Sequence, residues 1–133
     1  MSNHQGTIAL FGTSADPPTC GHQALLEGLL AVFPKVATWA SDNPMKCHGA
    51  SLEKREALLA ALVKAIANPQ LELRQELSSP WAIKTLELAA ARWPNTELVF
   101  VVGSDLAGQI PRWKHARAVL QLARLAIAPR QGW

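Results

Sequence analysis

Charged side chains are scarce in this 133-residue chain: 17% of it is Asp, Glu, Lys or Arg, against 49% hydrophobic. That balance excludes a disordered segment, a collagen-like repeat and a coiled coil. Cysteine is scarce as well. Cys20 and Cys47 are the only two, too few to staple a disulfide-dense scaffold, so the expectation is a reduced, cytoplasmic protein. Apolar runs stay short of the ~18 residues a membrane span needs. Met1 to Gly6 has neither a basic start nor an apolar signal stretch. Lys and Arg do not cluster. Thirteen cations against ten anions leave +3, spread along the chain, which suits a small anionic ligand at least as well as a nucleic acid. The expected partners are small molecules, with no nucleic acid and no membrane. Repeats, low-complexity tracts and linkers are absent, so residues 1–133 read as one domain.

What the chain does contain is an alternation of short apolar runs and helical patterns. Thr7 to Phe11 reads as a buried strand stopped by Gly12. Ala24 to Phe33 puts Leu25, Leu26, Leu29, Leu30 and Phe33 on one helical face, with Pro34 as the stop. Val36 to Ala40 is a second strand. Ser51 to Ala67 is a long helix, N-capped by Ser51, with Leu58, Leu59, Leu62, Val63 and Ile66 turned inward and Asn68-Pro69 ending it. Leu71 to Leu73 is a short strand and Ile83 to Trp93 a helix. Leu98 to Val102 is an unbroken β-branched and aromatic run, the strongest strand pattern of all. A helix around Lys114 to Ala123 and a strand from Leu125 to Ala128 complete the series. Such alternation implies right-handed βαβ units. The predicted fold is a Rossmann-like, doubly wound, parallel five-stranded sheet with helices on both faces. Sheets of that kind bind ligands at the carboxyl ends of their strands, near the switch in strand order.

The loop after the first strand is therefore the first place to look. It runs Gly12-Thr13-Ser14-Ala15-Asp16-Pro17-Pro18-Thr19-Cys20-Gly21-His22. A glycine lets the backbone approach a ligand closely. The unsatisfied N–H groups at the start of the next helix favour phosphate, and Thr19 and His22 can face the same anion across the first turn. The same residues also fit a plain capped turn, with Asp16 or Thr19 as the cap and His22 exposed. The glycine spacing is neither the dinucleotide fingerprint nor a P-loop.

This loop resembles the opening motif of the nucleotidylyltransferase superfamily: a Gly-rich turn, Asp-Pro, then (H/T)xGH. The nearest likeness is to the bacterial nicotinate mononucleotide adenylyltransferase family, and it continues in order along the chain. Asn43-Pro44-Met45-Lys46 with Ser51 and Arg55 resembles the family's Pro–His–Lys loop and Arg-bearing helix. Pro80 to Leu86 resembles the segment before its third helix. Val102-Gly103-Ser104-Asp105-Leu106 and Pro111-Arg112-Trp113-Lys114 resemble its Gly-(Ala/Ser)-Asp and Trp signatures, and Pro129-Arg130-Gln131-Gly132 its Arg-Pro-Gly turn. There are departures. Thr19 stands where His is usual, as in the pantetheine-phosphate adenylyltransferases, and a hydroxyl cannot carry positive charge to the transition state. Met45 precedes Lys46 where His is common, and Trp81-Ala82 replaces Tyr-Thr. The family's C-terminal Ser-x-Thr-x-x-Arg phosphate motif does not occur before Trp133, so the domain is expected to lack that region.

The resemblance implies an adenylyltransferase that joins ATP to nicotinate mononucleotide and releases pyrophosphate. The attacking phosphate is already an anion, so positioning and charge stabilisation suffice. This agrees with a chain that shows no nucleophilic serine motif and no paired catalytic carboxylates. His22, Thr19 and Lys46 are implied at the reacting phosphates. Gly12, Thr13, Ser14, Gly21, Gly103, Asp105 and Arg130 are implied around ATP, and Thr85, Trp113, Lys46 and Arg55 around the mononucleotide. Mg²⁺ is expected to arrive on the ATP phosphates, with no protein metal site.

Each of these residues also has a plainer role. Trp113 can be core packing, Thr85 and Asp105 helix caps, Arg55 a solvated helix charge, and Arg130 a surface residue. Cys20, His22, Cys47 and His48 have no zinc-knuckle spacing. Other readings stay open: a non-catalytic nucleotide-binding module or inactive truncated form and, within the same class, a pantetheine-phosphate or nicotinamide mononucleotide adenylyltransferase. An uncovered sheet edge would favour a homo-oligomer.

Overall fold

The computed structural model describes residues 6–13, 20–41, 51–79, 81–103 and 116–128. The elements in chain order are β1 (Thr7–Thr13), α1 (Cys20–Val32), β2 (Lys35–Ala40), α2 (Leu52–Ile66) and β3 (Leu71–Leu73). A short 3-10 helix (Gln75–Leu77) follows, then α3 (Ala82–Arg92), β4 (Glu97–Gly103), α4 (Ala116–Leu122) and β5 (Arg124–Ala128). The strands form a five-stranded sheet in the order β3-β2-β1-β4-β5. Every neighbouring pair is parallel. The order reverses between β1 and β4, which is the switch point of a doubly wound sheet.

Alternation along the strands builds the two faces. Ile8 and Leu10 of β1, Ala37 and Trp39 of β2, and Leu98, Phe100 and Val102 of β4 point one way, against Leu86 and Ala89 of α3 and Val119 of α4. Ala9, Phe11, Val36, Val99 and Val101 point the other way, against Leu26 and Leu29 of α1 and the flank of α2. Helices thus cover both faces, as the runs of apolar strand residues predict. Thr38 lies fully buried within β2, and its hydroxyl donates to the Phe11 carbonyl at 2.7 Å.

Two sequence expectations need correction. Gly12 does not stop the first strand: β1 continues through it to Thr13, pairing Gly12 with Trp39 and Thr13 with Ala40. Leu58 does not face the core. It is 39% exposed, because the inward stripe of α2 runs through Arg55, Leu59, Leu62 and Ile66 and leaves position 58 on its flank. Other boundaries move by a residue or a few. The largest shift is α1, which opens at Cys20 rather than Ala24. Ser51 is the N-cap of α2, its hydroxyl accepting from the Lys54 N–H at 3.2 Å. The helix ends in a left-handed Ala67. Trp39 is buried and Trp93 packs against the same cluster.

Candidate active site

Every described residue that the sequence singles out lies toward the carboxyl side of this sheet. β1 ends at Thr13 and β4 at Gly103, side by side across the switch point. α1 leaves β1 for one face and α4 leaves β4 for the other, so the chain parts on either side of these two strand ends. Gly21 and His22 stand in the first turn of α1, where helix N–H groups have no partner within the helix. His22 is only 6% exposed. The reading of it as an exposed helical residue is therefore wrong: at the third helical position its side chain is turned inward.

Gly12 has a reason of its own. A methyl group at this position would sit 2.5 Å from the Trp39 indole nitrogen. The paired strand places a buried tryptophan beside the Gly12 backbone, leaving no space for a side chain. Among the described contacts, the close neighbour that requires glycine here is Trp39.

Arg55 is 2% exposed, which overturns its reading as a solvated helix charge. It lies in the first turn of α2, and its Nη1 donates to the Ser41 carbonyl at 2.7 Å. Ser41 is the residue after β2, and its own N–H donates to the Thr13 carbonyl at 2.8 Å. A buried guanidinium therefore reaches the root of residues 42–50, where Lys46 lies.

Gln75, which the sequence reading does not single out, holds the same place from the other side. Its Oε1 accepts from the Ala40 N–H at 2.9 Å, and its Nε2 donates to the Ala40 carbonyl at 2.8 Å. No periodic or motif signal marks it. Only the shortness of the third strand, three residues beside a longer neighbour, hints that something else must complete the pairing.

Thr85 is buried in α3, and its hydroxyl donates to the Leu77 carbonyl at 2.7 Å. It is not a helix cap. That position belongs to Trp81, which makes no side-chain cap bond, and the Thr85 hydroxyl instead ties α3 to the 3-10 helix. Ser14, Thr19, Lys46, Asp105, Trp113 and Arg130 lie outside the described residues, as do Cys47 and His48. Among the described residues no group of three or more His, Cys, Asp or Glu could hold a metal ion. Nor is any helix among them long and apolar enough to cross a membrane.

Known proteins resemble this chain in both sequence and architecture. A family model described as Cytidylyltransferase-like matches residues 10–133. A Synechocystis protein described as "Probable nicotinate-nucleotide adenylyltransferase" is 40% identical over 136 residues, or 95% of this chain and 68% of its own length. One of the same description from Ruegeria pomeroyi is 27% identical over 129 residues, or 94% of this chain and 61% of its own length. The chain thus spans 61–68% of the length of these two curated relatives. Among solved structures, a candidate nicotinate-nucleotide adenylyltransferase from Vibrio parahaemolyticus superposes with a TM-score of 0.77 at 22% identity, covering 96% of this chain and 79% of that one. The Plasmodium falciparum nicotinic acid mononucleotide adenylyltransferase complexed with NaAD gives 0.73 at 15% identity, covering 96% and 76%. At these identities the two structures establish the shared fold.

Proposed function

We propose, from the premise that this chain belongs to the cytidylyltransferase-like family and within it to the nicotinate-nucleotide adenylyltransferases, that it joins nicotinate mononucleotide to the AMP moiety of ATP. A phosphate oxygen of the mononucleotide forms a bond to the α-phosphorus of ATP. The bond from that phosphorus to the bridging oxygen of the β-phosphate breaks, and pyrophosphate leaves with the electron pair. The nucleophile enters as an anion and needs no general base, so the protein contributes alignment and compensation of charge. Mg²⁺ comes as part of the substrate, on the ATP phosphates.

The observation that carries this reading is His22: a buried imidazole in the first turn of the helix that follows β1, beside the switch point. Helix N–H groups and the helix dipole favour phosphate at such a position. In this reading Thr19 and Lys46 join His22 at the phosphates. Gly12, Thr13, Ser14, Gly21, Gly103, Asp105 and Arg130 surround ATP, Trp113 is the platform for the pyridine ring, and Thr85 lies on the side of the nicotinate carboxylate. Arg55 acts on the mononucleotide side through Ser41. The reading places one nucleotidyltransferase domain in the cytoplasm, with small-molecule substrates rather than a nucleic acid or membrane. Association of copies along the β5 edge, where Ile127 is exposed, belongs to it too, and a clean monomer by light scattering would remove that part.

The test is pyrophosphate release with Mg-ATP and, in separate reactions, nicotinate mononucleotide, nicotinamide mononucleotide and phosphopantetheine. Release is expected with the first and should fall about 10²–10³-fold in His22→Ala, the usual cost of removing one preorganised donor. Release with phosphopantetheine or nicotinamide mononucleotide instead would reassign the substrate. ATP binding without release in any reaction would make the chain a nucleotide-binding module.

A further inference from the structure

β3 pairs with β2 only as far as Leu73 opposite Thr38. The main chain continues the pairing for one step, the Arg74 N–H donating to the Thr38 carbonyl at 2.9 Å. It then turns into the 3-10 helix at Gln75, and the side-chain carboxamide takes over. A carboxamide carries the same donor and acceptor as a peptide unit. Gln75 uses both on one residue, the N–H and the carbonyl of Ala40, at 2.9 and 2.8 Å. A side chain thus replaces the next residue of the short strand.

The residue so held is a junction. Ser41 follows Ala40, donates to the Thr13 carbonyl and accepts from Arg55. Thr13 leads into residues 14–19 and Ser41 into residues 42–50, the two stretches that hold Thr19 and Lys46. A displacement at Ala40 is therefore passed to both roots at once, through the main-chain bond from Ser41 to Thr13 and the side-chain bond from Arg55 to Ser41.

We propose that Gln75 is a positioning residue for the transfer reaction: by completing the pairing at Ala40 it fixes Ser41 against Thr13 and Arg55, and so sets where the stretches bearing Thr19 and Lys46 leave the sheet. The structural part stands on the hydrogen bonds above, and the catalytic part rests on the adenylyl-transfer reading.

Gln75→Glu tests it in the full chain. Glutamate has the same length and can still accept from the Ala40 N–H, but when ionised it cannot donate to the Ala40 carbonyl. Two quantities are measured: amide hydrogen exchange, and steady-state pyrophosphate release with Mg-ATP and nicotinate mononucleotide. Exchange at Ala40 and Ser41 is expected to quicken about tenfold, the loss of roughly one hydrogen bond, with Phe100 and Val101 in β4 unchanged. The kcat should drop about 10-fold or more, as a small misplacement of aligned groups does, with the KM for Mg-ATP moving far less. Wild-type exchange at Ala40 and Ser41 would overturn the proposal, and so would faster exchange with an unaltered kcat. A wild-type chain that releases no pyrophosphate would overturn the transfer reading and leave the exchange result to decide whether Gln75 holds the strand end. Should Gln75→Glu fail to fold, Gln75→Met, similar in length and lacking both groups, carries the same expectations.

Discussion

The two ends of the same sheet are held by different chemistry. At the amino ends, charge meets charge. Lys35, which opens β2, pairs with Glu72 of β3 at 3.1 Å, and Glu97, which opens β4, pairs with Arg124, which opens β5, at 3.0 Å. Toward the carboxyl side, Arg74 still pairs with Glu72 and Glu76, but other side chains reach main chain: Gln75 to Ala40, Arg55 to Ser41, Thr85 to Leu77. Exposed ion pairs can exchange partners with water and salt at little cost. A side chain bound to the main chain fixes where the backbone runs, and where the pair is buried its loss strands a polar atom away from solvent. The contrast suits a site built from segments between elements: the end that must present them is the end whose backbone is tied down.

Arg55→Ala should break the contrast most severely. It removes a large buried side chain and leaves the Ser41 carbonyl without that donor. The expected loss is about 3 kcal/mol, cavity and unsatisfied carbonyl combined, read from urea unfolding. A loss as small as that of an exposed ion pair, below about 1 kcal/mol, would mean that the carboxyl side is no more firmly held than the amino ends.

Gly12→Ala comes next. The added methyl meets the indole of Trp39 at 2.5 Å, and Trp39 is 3% exposed within the core, so it cannot swing aside into solvent. Overpacking of this kind costs about 1–3 kcal/mol, measurable as a lowered unfolding midpoint. Wild-type stability in Gly12→Ala would show that β1 and β2 can part here cheaply.

These two residues also show what could be read in advance. The strand–helix alternation was legible because each buried face repeats several times, every second residue in a strand and every three to four in a helix. Misplacing one residue changes little in such a pattern. Arg55, Gly12, Thr85 and Gln75 each act once. Burial of Arg55 depends on a carbonyl fourteen positions away, and the partner of Gln75 lies thirty-five away, distances over which no local pattern operates. Gly12 reads as a strand stop because glycine usually punctuates, and only the register with β2 reveals Trp39 beside it. Ordered motif blocks made the family legible where periodicity could not. They say nothing, however, of a departure such as a glutamine standing in for backbone.

The smallest expected effect lies at the amino ends and comes with a pH signature. Burial raises the Glu72 carboxyl, but hydrogen bonds and charge from Lys35 and Arg74 outweigh it and hold the group below its ordinary value of 4.5. Being lowered in the folded state, Glu72 contributes stability that is complete above about pH 4.5 and is lost as the pH falls through its folded value. Glu72→Gln should therefore cost about 1 kcal/mol at neutral pH, since two cations share one partly buried carboxylate. The gap to the wild type should close on acidification. Added salt should narrow it as well, because the Lys35 side chain is 42% exposed and open to screening. Urea unfolding of both chains at neutral pH and near pH 3, each at low and high salt, measures all three effects. A gap that persists in acid would mean that Glu72 acts by packing rather than by charge. The amino ends would then be held in the same manner as the carboxyl side, and the difference between the two would reduce to depth of burial.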